Sequence, residues 1–191
     1  MAPKTPPPQP EPSELSKAEV HRSPEFKAWF GQSKAVDASG TPLIAYHGSP
    51  DLRWAKEHGV FQTTRERILG GEDPARAYFF TDSHRTASTY ADDHRAFDYQ
   101  NAEPGILPVY LRMENPKVIN WGGKKWEGTY KHIMAAKAAG HDSVVIHNVV
   151  DDYNTGKKSK PTTVRVVFSP DQIKSAHNVG TFDAKSPDFR K

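Results

Sequence analysis

A histidine, a glycine and a serine follow a short apolar run, and these residue types can together bind a ligand. The apolar run is Pro42–Ala45, and the polar residues are His47, Gly48 and Ser49. The histidine offers an imidazole, the glycine lets a ligand approach the backbone closely, and the serine offers a hydroxyl. Further along the chain, Tyr90 offers a flat ring for stacking. This set suits a nucleotide with two riboses and an aromatic leaving group, a description that fits NAD.

Two strands must position these side chains. The run Pro42–Ala45 predicts a strand that ends in His47, Gly48 and Ser49. The aromatic-rich stretch Tyr78–Thr81 predicts a second strand. An Asp-Ser pair then leads into a short helical stretch that ends at Tyr90. We therefore expect the imidazole and the tyrosine ring to come from neighbouring parts of one fold.

Capping residues and apolar spacing predict two further helices. Ser23 suits an N-cap, since proline follows it, and Gly31 suits a helix end. Between them, Phe26, Trp29 and Phe30 fall at positions i, i+3 and i+4. The same kind of spacing predicts a helix over Lys125–Ala139, closed by Gly140 and carrying Trp126, Tyr130, Ile133 and Met134.

The remaining patterns are those of short strands. They are Pro108–Met113, Ser143–Ile146 and Thr163–Phe168, with two short strands flanking the turn Asp37–Pro42. Many short strands with few helices, none of them regular crossovers, favour an α+β fold over a doubly wound sheet. No Gly-x-Gly-x-x-Gly motif suggests a Rossmann site.

The start of the chain predicts a disordered Pro-rich tail or linker, residues 1–20, before a single domain, residues 21–191. Met1–Lys17 contains the run Pro6–Pro8 and alternates proline, glutamate and serine. Such a segment buries too little apolar surface to offset its ordering entropy. It does not resemble a signal peptide, because no apolar segment follows, so we expect a cytoplasmic protein.

Composition excludes several kinds of site. The chain has 191 residues, enough for one substantial core, and no cysteine, so disulfides and thiolate metal sites are excluded. Its 9 histidines show neither His-x-x-x-His spacing nor a His-Glu-x-x-His motif, so we assign no metal. The net charge of +3 permits an acidic partner without requiring one. No segment approaches the roughly 20 apolar residues of a membrane helix.

Several blocks of the sequence, taken in order, resemble ADP-ribosyltransferases of the diphtheria-toxin and poly(ADP-ribose) polymerase type. The resemblance extends in particular to the transferase domains of phage and mobile-element polyvalent proteins. The blocks are Ala45–Ser49, Tyr78–Tyr90, Asn115-Pro116, Gly140–Val145 and Val166–Ser175, within a match from about Pro24 to Phe182. The resemblance implies a split mixed β-sheet with a few short flanking helices, and NAD as co-substrate.

The resemblance also implies roles for the site residues. His47 would bond a ribose hydroxyl, Gly48 would pair its backbone with the nicotinamide carboxamide, and Tyr90 would stack on the nicotinamide ring. His47 and Tyr90 are thus the expected catalytic residues, and Ser49 and Phe79 complete the donor site. The alternatives are a satisfied strand-end histidine for His47, core packing for Tyr90 and simple wall packing for Phe79.

One residue departs from the family pattern. Relatives of the polymerase type carry a glutamate directly before the strand that corresponds to Arg165–Phe168, where this chain has Val164. A single transfer could instead use a carboxylate of the acceptor or of a loop, such as Asp151 or Asp152. Asp171, in a later turn, is a poorer candidate. Chain elongation is therefore not expected.

These observations predict a mono-ADP-ribosyltransferase with a macromolecular acceptor, protein or nucleic acid, serving as a phage or mobile-element effector or toxin. The alternatives are an NAD glycohydrolase and an inactive module that binds NAD or ADP-ribose. A nuclease would rest only on charge and scattered histidines. Basic loop residues could grip a diphosphate or a nucleic-acid acceptor, or be solvated charge; they are Arg65, Arg67, Lys157, Lys158 and Lys160.

Overall fold

Seven strands form one mixed sheet with the two site strands near its middle. The computed structural model describes residues 17–63, 75–92, 101–127, 129–151, 160–178 and 180–191. The strands are β1 (Ala45–Ser49), β2 (Tyr78–Thr81), β3 (Gly105–Leu111), β4 (Pro116–Asn120), β5 (Ser143–Val149), β6 (Thr162–Val167) and β7 (Ile173–Ser175). Their order across the sheet is β4-β5-β6-β2-β1-β3-β7. The β4–β5 pair is parallel, and the other neighbours are antiparallel.

The sheet is split between β1 and β2. These strands share one registered pair, Tyr46 with Thr81. In contrast, β1 pairs with β3 along its full length, and β2 does the same with β6. Past Tyr46 the β2-facing side of β1 therefore opens toward a cleft, which we call the β1–β2 cleft. With its short helices, this arrangement confirms the α+β class and the split mixed sheet.

Five α-helices flank the sheet in the described part of the chain. They are α1 (Lys17–Arg22), α2 (Pro24–Phe30), α3 (Arg53–His58), α4 (His84–Ala91) and α5 (Thr129–Ala138). The predicted caps of α2 are confirmed: Ser23 Oγ accepts from the Phe26 amide at 3.1 Å, and Gly31 ends the helix with φ of 54°. The predicted helix before Tyr90 is also confirmed, and Ser83 caps it by accepting from the Thr86 amide.

The predicted helix over Lys125–Ala139 starts too early, since α5 begins at Thr129. Lys125 forms a bridge to Val150, and the Trp126 amide donates to the Val150 carbonyl. Their backbone groups thus extend the sheet past β5, so this segment does not begin the helix.

The predicted end of β1 at Ser49 is confirmed, whereas its predicted start at Pro42 was wrong. The strand begins at Ala45 and places His47 at its centre, because pairing with β3 continues to Ser49. The two short strands expected around Asp37–Pro42 reduce to one bridge between Val36 and Pro42. There the Asp37 carboxylate accepts from the Ser39 and Thr41 amides and closes the turn.

Three apolar clusters hold the sheet, one of them beneath the β1–β2 cleft. That cluster contains Phe61, Phe80, Leu111, Ile173 and Phe189 among others. A second packs α5 against β5 and β6. A third is aromatic and comprises chiefly Phe26, Trp29, Phe30, Tyr110 and Phe182, with Val20 of α1 also buried in it. The boundary between tail and domain predicted at residue 20 stays a prediction.

After β6 the chain forms a 3₁₀ turn, Pro170–Gln172, and then β7, which pairs with β3. Lys174 of β7 is fully buried, and its Nζ donates to the carbonyls of Ser186 and Asp188 at 2.9 and 3.0 Å. Burial lowers the pKa of this amine. These two hydrogen bonds hold the segment around Ser186 and Asp188 against the sheet.

Candidate active site

The β1–β2 cleft has a volume of about 430 Å³. Its lining residues are Tyr46, His47, Gly48, Phe79, Phe80, Thr81, Ala87, Tyr90, Trp126, Thr129, Asp151 and Val164. The fold therefore brings together four of the predicted site residues, namely His47, Gly48, Phe79 and Tyr90. Ser49 is not among the lining residues.

His47 crosses the split in the sheet with its side chain. Its Nδ1 lies 2.9 Å from the carbonyl oxygen of Phe79 on β2. Because a carbonyl only accepts, Nδ1 carries the proton in this bond. Burial lowers the pKa of the imidazole, while the bond to Phe79 acts in the opposite direction. The neutral ring then presents Nε2 as an acceptor, which suits a ligand hydroxyl.

Packing against α4 requires a glycine at position 48, independently of any ligand. A Cβ at this position would overlap the carbonyl of Ala87 in α4. The sequence suggested that the residue must be bare for a ligand, whereas the structure gives helix packing as an independent reason. The resulting close contact anchors α4, which carries Tyr90, directly to β1.

Tyr90 and Asp151 are joined within the cleft. The Tyr90 hydroxyl donates to Asp151 Oδ1 at 2.6 Å, across 61 positions of sequence. Asp151 follows β5, so this bond ties the end of α4 to the far half of the split sheet. The half-buried Tyr90 ring lines the cleft and is held at its outer end. Tyr90 is thus a cleft residue with a polar anchor.

Phe79 lines the β1–β2 cleft, whereas Ser49 does not. Phe79 lines the cleft with 38% of its surface exposed, unlike the buried Tyr78 and Phe80 on either side. An exposed ring here forms an apolar wall. The Ser49 hydroxyl donates to the Asp51 carbonyl at 2.9 Å and accepts from the Asp51 amide. Ser49 therefore closes a turn after β1, and its binding role stays a prediction.

Val164 is the residue that the sequence resemblance assigns to the place of the missing glutamate. It pairs with Thr81 on one side and Ile146 on the other, and its side chain lines the cleft. Asp171 lies outside the cleft lining, and its carboxylate pairs with Arg112 at 2.5 Å. Asp151, named from the sequence as one substitute, is the one acidic residue among the described lining residues.

Among the lining residues outside the sequence blocks quoted for the family, sequence reasoning missed two. Trp126 was placed on a helix, and Thr129 was not singled out. In the structure Trp126 precedes α5, and its Nε1 donates to Thr129 Oγ1. The glycine at position 128 could have indicated that the helix begins after Trp126, because glycine disfavours a helix interior.

Several predicted features fall outside the described residues. They are the tail up to residue 16, the Gly70-Gly71 loop, Arg65, Arg67, Asp152, Lys157 and Lys158. Lys160 is described and exposed. Within the described ranges, no group of three His, Asp or Glu side chains is arranged to hold a metal ion. No helix in the same ranges is long and apolar enough to cross a membrane.

A split seven-stranded sheet, with a histidine and a tyrosine lining the cleft at the split, is the arrangement expected of ADP-ribosyltransferases. The chain belongs to the family of ADP-ribosyltransferases in polyvalent proteins, whose model matches residues 37–182. This match confirms the family expected from the sequence blocks. A search of curated proteins finds no match to the chain.

Proposed function

We propose that this chain transfers a single ADP-ribose unit from NAD to a macromolecular acceptor. The observation that carries the proposal is the bond from His47 Nδ1 to the Phe79 carbonyl, which makes Nε2 of this cleft-lining imidazole the acceptor nitrogen. A neutral imidazole can accept from a ribose hydroxyl without adding positive charge to the site. This matters because the transition state for leaving of nicotinamide is oxocarbenium-like and already cationic.

The other lining groups suit the nicotinamide end of NAD. The half-buried Tyr90 ring and the exposed Phe79 ring offer flat apolar surfaces on which a heteroaromatic ring can pack. After Tyr46, the β1 backbone has no registered partner on β2 in the described chain. Gly48 lies in this stretch, so its backbone can pair with a carboxamide. Together these groups fix the ring while its bond to ribose breaks.

Val164 supports transfer of one unit and not a polymer. Elongation needs a carboxylate that activates a ribose hydroxyl of the previous unit, and the described β6 strand has only Thr, Val and Arg side chains. Mass spectrometry of modified acceptors tests this point. We expect single ADP-ribose additions, and a ladder of repeated units would contradict the proposal.

Incubation of the protein with NAD labelled in its adenylate part, with and without cell lysate, tests the activity itself. We expect label on a macromolecule, and we expect it to disappear in His47→Ala. Free labelled ADP-ribose alone would favour NAD glycohydrolysis, in which water replaces the acceptor. Saturable binding without turnover would favour a catalytically inactive NAD-binding module.

The acceptor and the biological role belong to the same proposal. Membership of a family found in polyvalent proteins supports a phage or mobile-element effector or toxin that acts in the cytoplasm. Nuclease or protease treatment of the labelled lysate distinguishes a nucleic-acid acceptor from a protein acceptor. Expression of the wild type should slow bacterial growth, and His47→Ala should not.

A further inference from the structure

We propose that Asp151 supplies the carboxylate that β6 lacks. This inference rests on the proposed transfer from NAD and assigns its missing electrostatic group. Asp151 lines the β1–β2 cleft together with Val164, the residue in the glutamate's place. It arrives there from the loop after β5, a different element from the strand that carries the glutamate in relatives.

The charge balance of the cleft favours this role. Among its described lining residues, Asp151 is the one acidic group, burial lowers the pKa of the His47 imidazole, and the others are apolar or uncharged. In a cleft lined largely by carbon, a single carboxylate acts on a nearby cation more strongly than it would in water. The ribose in the transition state carries such a positive charge.

The bond to Tyr90 gives the carboxylate a defined position. Oδ1 accepts from the Tyr90 hydroxyl at 2.6 Å. An ionised carboxylate has about four lone-pair sites on its two oxygens, so it can accept further bonds while it is held there. A charged group that is already in position needs little reorganisation when charge develops in the transition state. Such preorganisation is the main source of electrostatic catalysis.

The reaction balances with this assignment. The bond between ribose C1′ and the nicotinamide nitrogen breaks, and its electron pair leaves with nicotinamide, which departs neutral. The positive charge passes to the ribose and is stabilised by Asp151. A lone pair of the acceptor, or of water, then forms the new bond to C1′. The proton that the acceptor loses passes to solvent, so Asp151 acts on the ribose of the donor and not on the acceptor.

Two other carboxylates near β6 bond to groups outside the cleft lining. Asp82 accepts from Thr162 Oγ1 at 2.6 Å and from the Thr163 amide at 3.2 Å, and it does not line the cleft. Asp171 pairs with Arg112 in a separate pocket that shares no lining residue with the β1–β2 cleft. Asp171 therefore provides a matched control, because it is a paired carboxylate outside the cleft.

The test compares Asp151→Asn, Asp151→Glu, Tyr90→Phe and Asp171→Asn by nicotinamide release from NAD, by calorimetric NAD binding and by thermal unfolding. We expect Asp151→Asn to lower kcat by at least 100-fold while the Kd for NAD changes less than threefold. Asp151→Glu keeps the charge and should recover at least tenfold of that loss. Tyr90→Phe keeps the ring and should lose less than tenfold, and Asp171→Asn should stay within threefold of the wild type.

Three results would overturn the assignment. Nicotinamide release by Asp151→Asn at the wild-type rate would show that the carboxylate is not used. Equal losses in Asp151→Asn, Asp151→Glu and Tyr90→Phe would show that the charge of Asp151 is not used and that Asp151 acts only through its bond to the tyrosine. If Asp151→Asn fails to fold, a folded Asp151→Glu no faster than Tyr90→Phe would contradict it as well. In these cases wild-type turnover that depends on His47 still stands, whereas a wild type that neither binds nor cleaves NAD refutes the proposed function itself.

Discussion

The ring of Phe61 stands edge-on to the imidazole of His47, with centroids 5.1 Å apart and planes at 89°. Phe61 also contacts Phe189, with centroids 5.2 Å apart. Phe189 lies beyond residues 37–182, the part matched by the family model. The end of the chain therefore supports the histidine of the cleft from behind, through one intervening ring.

Phe189→Ala should weaken NAD binding as well as stability. Removing a buried phenylalanine costs about 3–5 kcal/mol of unfolding free energy, and here the cavity opens beside the ring that supports His47. Phe182→Ala is the matched control, since Phe182 is equally buried but packs in the aromatic cluster with Phe26 and Trp29. Denaturant unfolding should show similar losses in both variants. Calorimetry should show a raised Kd for NAD in Phe189→Ala alone, and equal Kd values would mean that the support is not transmitted.

His47→Asn and His47→Gln separate the two ring nitrogens. The asparagine amide can take the place of Nδ1 and keep the bond to the Phe79 carbonyl, but nothing then replaces Nε2. The glutamine amide reaches nearer the place of Nε2. We expect His47→Asn to fold like the wild type and to lose NAD turnover, whereas His47→Gln should keep measurably more of it. Nicotinamide release measures this, and an active His47→Asn would contradict a role for Nε2.

The depressed pKa of His47 predicts a pH dependence of stability. Burial moves the pKa below its ordinary value of 6.5, so the unfolded chain binds the proton more tightly than the folded chain. The contribution of His47 to the free energy of unfolding is fully present above about pH 6.5, and it is lost as the pH drops toward the lowered pKa. Burial and the charge of Lys17 also lower the pKa of His21. Measurements on the wild type alone therefore cannot separate the contribution of His47 from that of His21.

The difference between wild type and His47→Gln removes the contribution of His21. Denaturant unfolding at intervals from pH 7.5 to pH 5 should show the wild type losing stability relative to the variant as the pH falls. A difference that does not change with pH would mean that His47 has an ordinary pKa in the folded protein.

Gly48→Ala should destabilise the protein even without ligand. The added methyl group meets the backbone carbonyl of Ala87, which cannot move without shifting α4. Overpacking of this kind costs about 1–3 kcal/mol. Gly105→Ala, on the strand paired to β1, is the control, because its methyl group meets mainly the end of the flexible Leu52 side chain. Thermal unfolding should place Gly48→Ala clearly below Gly105→Ala, and the reverse order would refute the packing argument.

Much of the local structure could be predicted from short stretches of sequence. The cap at Ser23, the strand Tyr78–Thr81 and the helix ending near Tyr90 depend on interactions between residues a few positions apart. Such interactions leave a readable pattern of caps, spacing and β-branched or aromatic residues. The ordered blocks around His47 and Tyr90 also sufficed to recognise the family.

The sequence alone thus determined the class of fold, the family and the residues His47, Gly48, Phe79 and Tyr90 as cleft candidates. Tertiary structure alone decided which carboxylate reaches the cleft, because Asp151 meets Tyr90 across 61 positions of chain. It likewise placed Trp126 against the end of β5 and not on a helix. Contacts between distant segments depend on how the sheet is ordered and split, and no local pattern of residue types records that geometry.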